Sequence, residues 1–167
     1  MSGVIDDLRL RPMTPDELPV YMALIEQRYA AELQGSTGSS AATAAEEARE
    51  AMSGLFADGV LADGQQVWMA VDAAGARVGV LWLAHRRPGT SHEHAWIYDI
   101  EVDADRRGAG WGRKLLALAE EQTRALGLTS LQLNVFGENA VARQLYRTQG
   151  FAESRVTMIK DVGKPDQ

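Results

Sequence analysis

Gly108, Gly110 and Gly112 alternate along the chain between an apolar, strand-like segment and an amphipathic, helix-like one. No other feature limits the possible folds as much. Ala95 to Val102 reads as a strand, mostly apolar but carrying Asp99 and Glu101. From about Arg113 to Leu126, the residues Leu115, Leu118, Ala119 and Leu126 fall on one helical face, and Gly127 is a natural terminator. Glycines in the connecting turn let the main chain curl with several N–H groups pointing inward. Together with the helix N-terminus they form a seat for phosphate oxygens. Arg106, Arg107, Arg113 and Lys114 concentrate positive charge there, in a chain whose net charge is -6.

Two nucleotide motifs compete for this turn, and both fit poorly. A P-loop ends in Gly-Lys-Ser/Thr, whereas Gly112 is followed by Arg113 and Lys114. A dinucleotide fingerprint needs a wider last glycine spacing and opens an early strand-turn-helix unit. Here several strand-like segments come first. Val67, Met69 and Val71 alternate along one such segment, Asp72 to Gly75 makes a turn, and Val78 to Ala84 returns as an antiparallel partner. Arg86 to His92 is a polar loop.

At the start, Ile5, Leu8 and Leu10 form a short strand leading to Pro12. Thr14-Pro15-Asp16-Glu17 signals a helix start, and Leu18, Met22, Ile25, Tyr29 and Leu33 give it one apolar face. Gly35 to Ser40 is a break, either a plain connection or a mobile lip over a pocket. A second helix is predicted from Thr43 to Phe56, packing through Ala44, Ala48, Met52 and Phe56, with Glu46 and Glu47 in its first turn. Beyond Gly127, Ser130 to Phe136 alternates as a strand, Asn139 to Gln149 is a short helix closed by Gly150, and Phe151 to Lys160 is a final strand. The order predicts a mixed α/β (α+β) fold, a mixed sheet flanked by helices, in a single domain spanning residues 1–167.

Composition removes several function classes. There is no cysteine, hence no disulfide, thiol nucleophile or thiolate metal site, which fits a cytoplasmic protein. The acidic balance gives no overall field toward nucleic acid or an anionic membrane. No run approaches a membrane span, and Met1 to Leu10 lacks the blocks of a signal peptide. His85, His92 and His94 lack a metal-specific spacing, so no metal site is expected, and His85 is a minor candidate for contact with an acceptor.

Arg107-Gly108-Ala109-Gly110-Trp111-Gly112 resembles the Arg/Gln-x-x-Gly-x-Gly/Ala signature of the GCN5-related N-acetyltransferases (GNAT). Leu133-Asn134-Val135-Phe136, followed by Asn139-x-x-Ala142-x-x-Leu145-Tyr146-x-x-x-Gly150-Phe151, resembles the second half of that pattern. The resemblance is close from Ala95 to Lys160 and covers the preceding strands in general form. It implies an acyl-CoA N-acyltransferase fold, with a mostly antiparallel twisted sheet, a splayed parallel pair and helices on both faces. It also implies acetyl-CoA as cofactor, gripped at its pyrophosphate by residues 107–112 and the helix beginning near Arg113.

By the same resemblance the pantetheine lies where a strand splays near Val102. There the main-chain N–H of Val102 faces the thioester oxygen, and main-chain groups of Ile100 pair with the pantetheine arm. Tyr146 corresponds to the tyrosine that offers its hydroxyl to the departing sulfur. Ala142 and Asn139 share its helical face, the first leaving room for cofactor, the second hydrogen-bonding it or capping the helix. Asn134, polar inside an apolar strand, needs a partner such as the cofactor amide.

Asp99 and Glu101 lie on one face of their strand and are candidates to take a proton from the amine, Glu101 being nearer the reacting end. The competing reading is that they are solvated or paired with arginines. Without cysteine, direct attack by the amine is the simpler route. The expected acceptor is the amine of a small molecule or peptide, and dimers are common in the family. The alternatives are a non-catalytic acyl-CoA-binding regulatory or interaction protein of the same fold and an acyltransferase acting on charged tRNA. The acidic net charge weighs against the tRNA reading.

Overall fold

The computed structural model describes residues 4–5, 7–85, 94–160 and 162–163. Its main sheet contains β1 (Val4–Ile5), β2 (Leu8–Pro12), β5 (Gln65–Val71), β6 (Arg77–Ala84), β7 (His94–Val102) and β8 (Ser130–Leu133), side by side in that order. Every neighbouring pair is antiparallel except β7 with β8, which run parallel. Helices α1 (Glu17–Thr37), α3 (Trp111–Ala125) and α4 (Ala140–Thr148) join α2 (Ala41–Ser53) around it. The predicted loop at Arg86 to His92 lies outside the described residues.

The sheet is buried on both faces. Leu115, Leu116, Leu118 and Ala119 of α3 pack with Leu8, Leu10, Trp68, Val78, Leu81 and Ile97 on one side. Tyr21, Met22 and Ile25 of α1 pack with Val67, Met69, Val80 and Trp82 on the other. This double cover explains why β5 and β6 carry apolar residues at nearly every position rather than alternating with polar ones.

Local chemistry sets the helix ends. Thr14 Oγ1 accepts from the N–H of Glu17 at 3.3 Å, and Glu17 Oε2 accepts from the N–H of Thr14 at 2.9 Å, a reciprocal cap. Arg11 holds both Glu17 oxygens at 2.8 Å, so the carboxyl sits near 2. The first helix continues past Gly35 and ends only where Gly38 turns left-handed at φ 68°. The first half of Gly35 to Ser40 is therefore the last helical turn, and the second half is a short connection to α2. Ser40 caps α2 by accepting from Thr43 N at 3.1 Å, so the helix starts two residues earlier than predicted. Glu46 and Glu47 consequently fall past its first turn. Ser40→Ala is expected to cost about 1 kcal/mol, read as a lowered midpoint in urea unfolding with an unchanged slope.

Phe56 leaves the predicted second helix to open a hairpin, β3 (Phe56–Ala57) and β4 (Val60–Leu61), which turns at Asp58 and Gly59 with φ 53° and 80°. At the other end, residues 151–160 form no strand, because no described strand lies beside them and residues 152–160 are exposed. No helix among the described residues is long and apolar enough to cross a membrane.

Candidate active site

The parallel pairing of β7 with β8 runs from His94↔Ser130 to Ile97↔Leu133 and stops. At that level β7 carries an extra residue, Tyr98, where its register with β6 shifts between Trp82 and Leu83. Bulges bend and twist a strand. Beyond the bulge β7 continues to Val102 with β6 on one side and no described strand on the other. The parallel pair splays here.

The ladder fixes which groups face the gap. Asp103 N–H donates to Val78 O at 2.8 Å, so these two residues form a hydrogen-bonded pair. In an antiparallel ladder such pairs alternate with pairs whose N–H and C=O point away from each other. Val102, opposite Gly79, and Ile100, opposite Leu81, are therefore non-bonded pairs. Their main-chain groups turn away from β6 toward the side vacated by β8. Arg107 Nε accordingly reaches Val102 O from that side, at 2.9 Å.

The glycine turn follows directly. Gly108 and Gly110 adopt φ 81° and 83°, which L side chains rarely tolerate. Gly110 leads into α3 with no side-chain cap, while its own carbonyl accepts from Arg113 N and Lys114 N at 3.1 and 3.3 Å. The N–H groups of Trp111 and Gly112 at this uncapped start suit an anion. A Cβ on Gly112 would meet Leu145 Cδ2 at 3.0 Å, so its bare backbone lets α4 pack close to the turn.

Not all the predicted cations serve the turn. Arg106 is tied to Asp72, and Lys114 to Asp7 at 2.5 Å, with the Lys114 ammonium 4.8 Å from the Trp111 ring centroid. Arg107 spans Val102 O and Glu101. Arg113 is exposed and makes no ion pair among the described residues. Ala109 is exposed beside it.

Tyr146, on α4, packs against the α3-side core together with Ile100, Val102, Trp111 and Leu145, and its ring lies 5.6 Å from that of Phe151. Burial first, then the charge of Asp99, pushes its hydroxyl up to about 12. Ala142 is half-buried on the same helix. For Asn139 the structure chooses the cap: its Oδ1 accepts from Ala142 N at 3.1 Å. Asn134 does not lie inside a strand. Without β7 to pair with, β8 ends at Leu133, and Asn134 follows it exposed at the mouth of the splay.

Asp99 and Glu101 share one face as expected, and both are engaged. Arg28 of α1 forks between them, and Tyr21 donates to Asp99 Oδ2 at 2.7 Å. Arg107 Nη2 stands 3.5 Å from Glu101 Oε1. Asp99 is buried, and burial outweighs Arg28 and Tyr21 to leave its carboxyl raised. The pairing-with-arginine alternative is thus the observed one. Tyr21 and Arg28 were absent from the sequence-based site. Their signal was a shared face, since they stand seven residues apart on α1 with the buried Ile25 between them.

His85 follows β6 at the end that pairs with Trp96, six β7 residues from Val102 and roughly 20 Å away from it. His94 bonds Ser130 across β7 and β8. No cluster of three or more candidate metal ligands occurs among the described residues.

The uncharacterized N-acetyltransferase YycN of Bacillus subtilis (strain 168) is 29% identical over 153 residues, which is 92% of this chain and 97% of that one. Its crystal structure superposes with a TM-score of 0.85, covering 94% of this chain and 99% of that chain at 27% identity. A second uncharacterized N-acetyltransferase of that organism, YdgE, is 28% identical over the same shares of both chains. The structure of AAC(6')-Iy with the bisubstrate analog CoA-S-monomethyl-acetylneamine shares the fold at a TM-score of 0.56 and 18% identity, over 93% of this chain and 99% of that chain. Residues 27–151, most of the chain, match the Acetyltransferase (GNAT) family. The splayed parallel pair, the glycine turn and this match agree: the chain belongs to the GNAT family of acetyltransferases.

Proposed function

We propose that the protein is an acetyl-CoA-dependent N-acetyltransferase that delivers an acetyl group to a primary amine of a small molecule or peptide by direct attack. The observation that carries this reading is the alignment of Ile100 and Val102. Their main-chain groups face the splay, next to an uncapped helix start preceded by Gly108 and Gly110. A phosphate-bearing carrier with an amide-rich arm matches that order of donors.

The residues present fit acetyl-CoA, which supplies an acyl group activated as a thioester. Trp111 and Gly112 N–H groups, with Arg113 nearby, would hold phosphate oxygens. Ile100 would pair with the amides of the arm, and the Val102 N–H would polarise the thioester carbonyl. Tyr146, protonated through the neutral and mildly alkaline range, keeps a hydroxyl proton for a leaving thiolate. The chain has no cysteine, so no thiol of its own takes up the acyl group.

Asp99 and Glu101 would draw a cationic amine to the α1 side of β7. Both acids are held by two partners, and Glu101 is the more accessible proton acceptor because it is only half-buried whereas Asp99 is buried. Glu101 serves only when the acceptor or a water displaces Arg28. That same engagement favours a second reading, a non-catalytic acyl-CoA-binding regulator whose acids are permanently neutralised.

Free-thiol release from acetyl-CoA across polyamines, aminoglycosides and peptide N-termini separates the two. Amine-dependent release well above the amine-free rate is expected. Acetyl-CoA binding with no release on any amine would overturn the catalytic reading.

A further inference from the structure

Packing does not fix the shape of the glycine turn. A Cβ on Gly108 or Gly110 would meet no described atom within 4 Å beyond its chain neighbours. A stretch this open loses conformational freedom when it closes on a ligand, unless something else holds it in the closed shape beforehand. Its two ends are tethered. Arg106 closes the short 3-10 helix at Ala104–Arg106 that enters the turn, and Lys114 lies in the first turn of α3 that leaves it.

Both cations lie over one ring. The Arg106 guanidinium carbon is 5.8 Å, and the Lys114 ammonium 4.8 Å, from the ring centroid of Trp111, which packs against the α3-side core. Each cation is also anchored by an acid from another part of the sheet. Asp72, in the turn between β5 and β6, pairs with Arg106, and Asp7, between β1 and β2, pairs with Lys114. The Arg106 hydrogen bond, then the Ala76 N–H, holds the Asp72 carboxyl below the usual carboxylate range. The two arms are unequal. The Arg106 and Asp72 side chains are 29% and 18% exposed, whereas Asp7 is 49% exposed, and exposed pairs contribute little. Asp72 is the stronger anchor.

We propose that the Trp111 side chain is the clasp of the phosphate turn, and that Asp72 is a positioning residue that acts on it through Arg106. Gripped by a cation from each end of the turn, the indole holds the main-chain N–H groups of Trp111 and Gly112 in place before a phosphate arrives. Any residue at 111 supplies an N–H; the ring and its two cations set how well that donor is pre-arranged. This inference rests on the reading of residues 107–112 as the seat of the acetyl-CoA pyrophosphate.

Titration calorimetry with CoA and with pantetheine, which lacks every phosphate, separates positioning from folding. Asp72→Asn keeps an Oδ1 acceptor for the Ala74 and Ala76 N–H groups, which stand 3.0 and 2.9 Å from it. The β5–β6 turn therefore survives while the ion pair is lost. Asp72→Asn and Trp111→Leu are each expected to weaken CoA binding about tenfold and to leave pantetheine within about twofold. Trp111→Tyr, which restores an aromatic face, should recover most of that loss. Asp72→Asn added to Trp111→Leu should weaken CoA no further, because Arg106 then has no ring to grip.

Unchanged CoA affinity in both single variants would overturn the proposal. So would pantetheine weakening in step with CoA, which is what a loosened fold produces. Full additivity of the two substitutions, or a Trp111→Tyr protein as weak as Trp111→Leu, would overturn it too. CoA that fails to bind the unaltered protein is a different result: it removes the phosphate seat itself, and the clasp with it.

Discussion

Gly79→Ala is expected to damage both the stability and the activity of this protein more than any other single methyl addition to its sheet. A Cβ at residue 79 would stand 2.0 Å from the carbonyl oxygen of Glu101, 3.0 Å from its carbonyl carbon and 3.1 Å from Val102 Cα. All three are backbone atoms, so no side-chain rotation relieves the clash. Strand β6 must part from β7 at Glu101 and at Val102, the second of which faces the splay. Overpacking of this kind costs about 1–3 kcal/mol. A displacement of about 1 Å at a reacting position costs on the order of 10²-fold in rate. Thermal melting and kcat/KM for thiol release are the measurements. Gly54→Ala is the control, since it has nothing within 4 Å and an ordinary φ of -80°. A Gly79→Ala protein matching the control in both readouts would refute the close-approach argument.

Tyr146→Phe is expected to lower kcat by about 10²-fold or more while acetyl-CoA affinity changes little. The phenyl ring keeps the contact with Phe151 and the core around Ile100 and Val102. Only the proton donor is lost. The pH profile gives a second check. Because burial pushes the Tyr146 hydroxyl up to about 12, its own ionisation removes no activity in mildly alkaline buffer, where an ordinary tyrosine begins to titrate. An alkaline limb near pH 10 that vanishes in Tyr146→Phe would contradict the assigned environment. Retained turnover at every pH would remove Tyr146 from the mechanism.

The cofactor side was legible because its signals are local. Val102 to Gly112 carries strand, turn and helix start within a dozen residues, and Gly108 and Gly110 adopt the positive φ that such a turn demands. Asp58-Gly59 is an equally local hairpin signal, and it overrides the helical spacing that places Phe56 in the second helix. The surroundings of Asp99 and Glu101 were not legible for a different reason. Arg28 meets Asp99 and Glu101 across 71 and 73 residues, and Tyr21 meets Asp99 across 78, so no spacing rule connects them. Asn134 was misplaced because alternation continues to Phe136, whereas pairing stops at Leu133 where the neighbouring strand bends away. The segment at 151–160 shows the limit most clearly: its residues favour a strand, but a strand also needs a neighbour.

Strands β2 and β5 are hydrogen-bonded neighbours, Pro12 opposite Trp68, yet everything from Met13 to Gly64 leaves the sheet and returns between them. That excursion holds α1, α2 and the small hairpin, including Tyr21 and Arg28. The turn, α3 and Tyr146 all lie after it. The chain is therefore built like a tool with an exchangeable head. The excursion can be lengthened, shortened or grafted from a relative without shifting the register of the strands that close it. If the proposed function holds, a chimera keeping residues 1–12 and 65–167 should still bind acetyl-CoA while its choice among amines, read as thiol release across the same panel, shifts toward that of the donor protein.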